Sequence, residues 1–397
     1  MREVTDQALP RRQLADLALV FLKLGTIAFG GPAAHIALIE GEIVHKRQWV
    51  TRQQFLDMIG AANLIPGPTS TEIAINTGYV RAGWAGLCIA GASFILPAAL
   101  ITGTFAWAYV RFGTMAQAAS VLGGIKAVII SVIAMAIWRL GKTAVRNAGL
   151  AVLGAAAFAA FLLKMNPILI LLGGGVLGML VGRTIANRKD AALLSFSAVR
   201  WRSGWTLGKV ATLFLAPGAA AIVGKPSLGR IALFFLKVGA VLYGGGYVLL
   251  AFLEQGLVQQ HAWLTRQQLL DAVAIGQFTP GPVLSTATFI GYVLGGVPGA
   301  VVATIGIFLP SFLYVALLAP VLFRLRKSKW MAGFLDSVNA CAVALMAGVT
   351  FELAAGALRG WWTWLIAAGA LGVLLRWKVN PAWVVLGGGV LGFALAR

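Results

Sequence analysis

The chain repeats itself, and that repeat limits its architecture more than any other feature. Phe21-Leu22-Lys23-Leu24-Gly25 returns as Phe235-Leu236-Lys237-Val238-Gly239, and Thr51-Arg52-Gln53-Gln54 returns as Thr265-Arg266-Gln267-Gln268. Pro66-Gly67-Pro68 returns as Pro280-Gly281-Pro282, Leu96-Pro97 as Leu309-Pro310, and Asn166-Pro167 as Asn380-Pro381. The run from Gly173 to Gly178 returns from Gly387 to Gly392. The offset is about 214 and slips by one near Tyr79 and Tyr292. Two copies of one fold are therefore expected, over 1–183 and 229–397. A basic linker, 184–228, has no counterpart in the repeat.

Composition names the solvent. The chain is 59% hydrophobic and only 11% charged, where a soluble domain carries roughly 25% charge. Its many Gly and Trp fit a bilayer. Basic residues outnumber acidic ones 32 to 12, but they fall in short gaps between apolar runs. That is the loop pattern of a membrane protein, not the clustered basic face that binds nucleic acid. Lipid, not nucleic acid, is the expected partner.

Other classes find no support. Cys88 and Cys341 lie in apolar runs and suggest neither a disulfide framework nor a metal site. No Walker loop, HExxH or Cys/His cluster occurs, so no enzyme, metal, cofactor or ATP-driven pump is expected. The polar start with Arg11 and Arg12 leads into a broken helix rather than a signal-type apolar run, so no cleaved signal is expected.

The apolar runs predict an all-α, polytopic membrane protein with the same element order in each half. A first helix over 14–45 is broken at Gly30-Gly31-Pro32. A hairpin over 53–80 is broken at Pro66-Gly67-Pro68, and its arms are too short to cross, so it reads as re-entrant. Helices follow over 84–110, 117–140, 146–163 and 167–182, several near the ~20 residues a span needs. Gly173–Gly178 reads as a close-packing helix face rather than a phosphate loop.

Loop charges orient the halves. In the first half, Arg139, Lys142 and Arg146 fill one gap, while those at Arg111 and Lys164 are poor. In the second half, Arg324, Arg326, Lys327 and Lys329 fill the gap equivalent to Arg111, and that near Arg359 is poor. Equivalent loops then lie on opposite sides, giving an inverted-topology repeat with broken and re-entrant helices, as in many secondary transporters. The side of the N-terminus stays open, as does whether Val210–Val223 crosses.

Breaks in membrane helices are tolerated where the chain lines a cavity. After Pro66-Gly67-Pro68 a new half-helix opens with Thr69, Ser70 and Thr71. After Pro280-Gly281-Pro282 another opens with Ser285 and Thr286. A helix N-terminus offers free N–H groups and a positive dipole end, which suits an oxyanion. Asn63 and Gln277, just before these breaks, are neutral donors, and His35 follows Gly30-Gly31-Pro32. Lys23 and Lys237 sit mid-helix at equivalent positions, where a charge is costly and functional by default; snorkelling to the interface is the other reading, and it applies equally to Lys126. Glu72 follows the first break within an apolar stretch. Removal from water disfavours a carboxylate's charge, which makes Glu72 a candidate proton carrier unless it pairs with Arg81 or Lys126. Glu40 and Glu254 are repeat equivalents, as are Asp57 and Asp271; for Asp57, five residues after Arg52, an ion pair or cap near the membrane edge is expected.

At these residues the chain resembles the chromate ion transporter family in its long, fused form. The resemblance is carried by Phe29-Gly30-Gly31-Pro32 with His35, by Asn63 through Glu72, by Gly78-Tyr79 with Ala82-Gly83-Trp84, and by Phe94-Ile95-Leu96-Pro97. It implies chromate efflux driven by the membrane potential or a proton gradient, chromate resistance, and a multi-pass place in a bacterial inner membrane. The second half departs from the pattern. Gly246 stands where Pro32 does, and Val283-Leu284 stand where Thr69-Ser70 do, which points to the first half as the main holder of the site. Sulfate or another tetrahedral dianion is an alternative cargo, and an intramembrane enzyme or receptor a more distant alternative. A homodimer is compatible with this reading.

Overall fold

A computed structural model describes residues 11–29, 32–113, 116–187, 226–243, 248–325, 329–358, 360–377 and 379–395. All regular structure among them is helical. The first half contains α1 (Arg11–Ile27), α2 (Pro32–Glu40), α3 (Arg52–Ala62), α4 (Thr69–Phe112), α5 (Ala116–Ala144), α6 (Ala148–Leu162) and α7 (Pro167–Asn187). The second contains α8 (Leu228–Val241), α9 (Leu249–Leu253), α10 (Arg266–Phe278), α11 (Thr286–Leu325), α12 (Lys329–Ala357), α13 (Trp361–Arg376) and α14 (Pro381–Leu395). A π-helical turn extends α2 over Gly41–Lys46 and α9 over Glu254–Gln260. Gly30, Gly31, Gly244–Gly246, Lys327, Arg359 and most of the linker, Val210–Val223 included, lie outside the described residues.

The starts of α3 and α10 explain one repeated motif. Thr51 Oγ1 accepts from the Gln54 amide at 3.2 Å, and Gln54 Oε1 accepts from the Thr51 amide at 2.8 Å. Thr265 and Gln268 repeat this at 3.1 and 2.9 Å. Each pair is a capping box, which satisfies backbone donors that helix geometry leaves free.

The longest helices are hairpins. α4 departs from helical geometry at Ala82 and at Gly83, whose φ is +56°. α11 does so at Gly295 and Gly296, whose φ is +62°. The left-handed conformation at the second position costs glycine little. The arm 69–81 also lies beside α3, with the Thr77 hydroxyl 3.8 Å from Met58 Sδ.

Among the described residues four segments are long and apolar enough to cross a membrane: Thr69–Phe112, Ser120–Ala144, Val283–Leu317 and Gly333–Ala357. The protein is an all-α polytopic membrane protein. Its halves exchange partners. α1 packs on α4 and α8 on α11 within each half, and α4 meets α11 across the centre. Beyond that, α5 packs on α13 and α14, while its repeat counterpart α12 packs on α6 and α7. Glycines make the exchange close: Gly174 and Gly178 of α7 lie against Cys341 and Ser337 of α12, and Gly388 and Gly392 of α14 lie against α5 near Gly124. Small residues let helix backbones approach where no hydrophobic force drives association.

Candidate functional site

The two Pro-Gly-Pro loops sit against the broken ends of each other's first helices. The Gly67 amide donates to the Leu242 carbonyl at 2.8 Å, just past α8. The Gly281 amide donates to the Ala28 carbonyl at 2.8 Å, just past α1. Both the glycines and the carbonyls are repeat equivalents, so the contact is reciprocal. A buried amide needs such a partner, and here it locks each break to the opposite half.

The first loop leads into a buried polar cluster. Gly67 has φ +147°, and a Cβ there would run into Glu72 Oε1 and lie 2.5 Å from Ser311 Oγ of α11. Pro66, Gly67 and Pro68 are buried and Thr69 partly so. Ser70, Thr71 and Glu72 are at most 3% exposed. His35 is also buried, with Nδ1 3.4 Å from Ser70 Oγ. Pro68 caps the half-helix, its carbonyl accepting from the Thr71 and Glu72 amides at 2.8 and 3.1 Å. The Thr69 and Ser70 amides, in the first turn, have no intrahelical acceptor. Thr71 Oγ1, both Glu72 oxygens and Ser311 Oγ are buried with no hydrogen-bond partner. Each such group costs about 1–3 kcal/mol unless something satisfies it.

The second loop has a different lining. Around Gly281 stand Ala98 and the Gly25 carbonyl. The Thr286 hydroxyl donates to the Val283 carbonyl at 2.8 Å, and Thr102 donates to Ser285 at 3.2 Å. Pro280 and Pro282 are buried here, and Gln277 lines a small cavity with Val283 and Thr286.

The remaining candidates stand apart from the cluster. Asn63 ends α3 and is exposed. Lys23 Nζ lies 3.8 Å from Glu42 Oε2, with its side chain about half exposed at 54%. A hydrogen bond from Arg47 at 2.9 Å holds the Glu42 carboxyl below its usual range. Lys237 is partly buried on α8. Arg52 reaches Glu40 at 3.9 Å, and its equivalent Arg266 reaches the buried Glu254 at 2.8 Å. Arg266 also meets Glu352 at 3.1 Å, which pairs with Lys164 of the first half. Arg81 lies over the Trp49 ring.

Sequence reasoning missed the deepest ion pair. Lys126 Nζ lies 2.7 Å from Asp271 Oδ1, with side-chain exposures of 4% and 2%. The Tyr109 hydroxyl donates to Asp271 Oδ2 at 2.9 Å. Lys126 does not snorkel; it faces a carboxylate of the other half. The only sequence signal was its place inside an apolar run.

Among the described residues no His/Cys/Asp/Glu group fits a metal ion. A buried polar cluster at a helix start, beside a break that recurs in both halves, is the kind of arrangement found in secondary transporters. Residues 15–179 and 229–393 both match the chromate transporter family. The chain belongs to this family. Chromate transport proteins of Cupriavidus metallidurans and Pseudomonas aeruginosa are 33% and 30% identical to it. The alignments cover 96% and 98% of this chain and 93% and 94% of those relatives. No solved structure matches. The family match covers both halves, and the Gly67 and Gly281 loops hold equivalent places in them.

Proposed function

We propose that this chain exports chromate as a secondary transporter of a bacterial inner membrane, conferring chromate resistance, and binds the dianion at the start of the half-helix 69–81. The observation that carries this reading is Glu72: a carboxyl 1% exposed, with neither oxygen partnered, at the first turn of a helix whose free amides suit an anion. The Thr69 and Ser70 amides, the hydroxyls of Thr69, Ser70 and Thr71, and His35 surround the anion. Pro66, Gly67 and Pro68 hold the turn that aims them, as Pro280, Gly281 and Pro282 do for Gln277 and the second half. Lys23 and Lys237 attract the anion at longer range from the first helix of each half, the charge of Lys23 being partly offset by Glu42.

Glu72 couples the anion to a proton. An ionised carboxylate beside a dianion repels it, while the protonated acid donates a hydrogen bond to it. Anion and proton therefore bind together. Leaving together, a dianion and one proton carry one net negative charge outward. A membrane potential negative inside favours that by about 2.3 kcal/mol per 100 mV. The same reading takes the halves as inverted in the bilayer, their Pro-Gly-Pro loops meeting near its middle.

The test is flux of labelled chromate into inverted vesicles or proteoliposomes under potassium–valinomycin potentials, with sulfate as competitor. Transport should be driven by a potential of the stated sign. Sulfate entering as well as chromate would make the cargo tetrahedral dianions in general; absence of any oxyanion flux would end the reading.

A further inference from the structure

We infer that the two halves share a single anion site, and that Ser311 of the second half completes it as a specificity-determining residue. This rests on the reading of Glu72 and the half-helix 69–81 given above. The duplicated chain offers two equivalent places, one at Gly67 and one at Gly281. Two of the differences between their linings decide the hydrogen-bonding. Glu72 of the first is replaced by Thr286 in the second, and Ser311, which faces the first, is replaced by Ala98, which faces the second.

These two differences change the hydrogen-bond balance. At Gly281 the polar groups satisfy one another: Thr286 bonds the Val283 carbonyl and Thr102 bonds Ser285. At Gly67, Thr71 Oγ1, both Glu72 oxygens and Ser311 Oγ stay unpaired although wholly buried. Capacity for a ligand is thus concentrated in one of the two places. Ser311 reaches it from α11, which follows the second Pro-Gly-Pro loop, while the Leu242 carbonyl just past α8 holds Gly67.

The chemistry follows from the groups. The Glu72 acid and the Ser311 hydroxyl meet beside Gly67, and the Thr71 hydroxyl, next in the chain to Glu72, is buried without a partner. Each hydroxyl donates one hydrogen bond to an anion oxygen, and the protonated acid donates a third. A tetrahedral dianion, whose oxygens only accept, uses all three donors. A singly charged anion such as nitrate draws less from each donor than a dianion, because a hydrogen bond strengthens with the charge of its acceptor, and is selected against. The second loop, already closed on itself, acts as the strut that holds α1 in place through the Ala28 carbonyl.

The experiment is labelled chromate uptake by the full chain in proteoliposomes, at matched reconstituted protein, comparing Ser311→Ala, Ala98→Ser and Thr71→Val. Ser311→Ala and Thr71→Val should each raise KM about ten- to hundredfold, as loss of a hydrogen bond to a charged group does. Ser311→Ala should also narrow the preference for chromate over nitrate as competitor, an effect a folding defect would not produce. Ala98→Ser should leave KM unchanged. Should Ser311→Ala keep wild-type KM while Thr71→Val raises it, the site belongs to the first half alone and this inference falls while the functional reading stands. A raised KM in Ala98→Ser would overturn the single site. Wild-type KM in both Ser311→Ala and Thr71→Val would remove the half-helix as the site, and the functional reading with it.

Discussion

Lys126 of α5 and Asp271 of α10 form an ion pair of 2.7 Å, buried between the two halves and braced by the Tyr109 hydroxyl. Asp271 lies on the helix that leads into the second Pro-Gly-Pro loop. The pair therefore ties that loop to a long helix of the first half. Its repeat counterpart is not duplicated, because Asn339 stands where Lys126 does.

Breaking this pair from one side leaves a buried charge alone. Lys126→Ala or Asp271→Ala should each destabilise the protein by about 3–5 kcal/mol. Replacing both, as Lys126→Met with Asp271→Leu, should recover most of that loss. Thermal unfolding of the purified protein in detergent measures it. Single variants as stable as wild type would show that the pair contributes nothing.

Glu72→Gln should abolish the pH dependence of transport. In the wild type, affinity for the dianion should fall as pH rises through the carboxyl's titration, since the ionised form repels it. The glutamine stays neutral and donates at every pH. Initial rates across a pH series, with the pH equal on both sides of the vesicle, make the comparison. A pH profile in Glu72→Gln that overlays the wild type assigns the proton elsewhere.

Gly67→Ala should reach the membrane and transport with a strongly raised KM. At φ +147° an L side chain is strained by about 1–3 kcal/mol, and its Cβ points at Glu72 and Ser311. Gly281→Ala meets Ala98 and the Gly25 carbonyl instead, so it should disturb packing more than anion affinity. The measurement is KM at matched membrane level; equal KM changes in both would contradict the distinction.

Topology follows from the loop charges. Reporters near Lys142 and near Lys327 should both be cytoplasmic, and one near Arg359 should be external. Labelling of the Lys142 and Arg359 positions from the same side would make the halves parallel.

Much of the fold was legible because its signals are local. Thr51 and Gln54 stand three residues apart and cap α3 by themselves. The Pro-Gly-Pro triplets interrupt helices through missing amides and a glycine conformation. The apolar runs carry their own lengths, and the resulting α1 to α7 lie close to the runs read from hydropathy. Glu72, His35, Ser70 and Thr71 were legible as neighbours of one break, and they do share a buried cluster. The repeat also announced that the helix breaks and caps of one half recur in the other.

What the chain could not announce is which element each half lends to the other. Lys126 and Asp271 are remote in sequence, and nothing near either residue names its partner. Ser311 was invisible for the same reason: a serine after a proline in a long helix has meaning only once α11 lies against the Gly67 loop. The amide of Gly67 and the carbonyl of Leu242 became partners only through that same crossing of halves. Breaks, caps and apolar lengths are fixed by a few adjacent residues and the solvent around them. The choice of partner is a balance among many weak close-packed contacts over both halves, and only the assembled structure sums them.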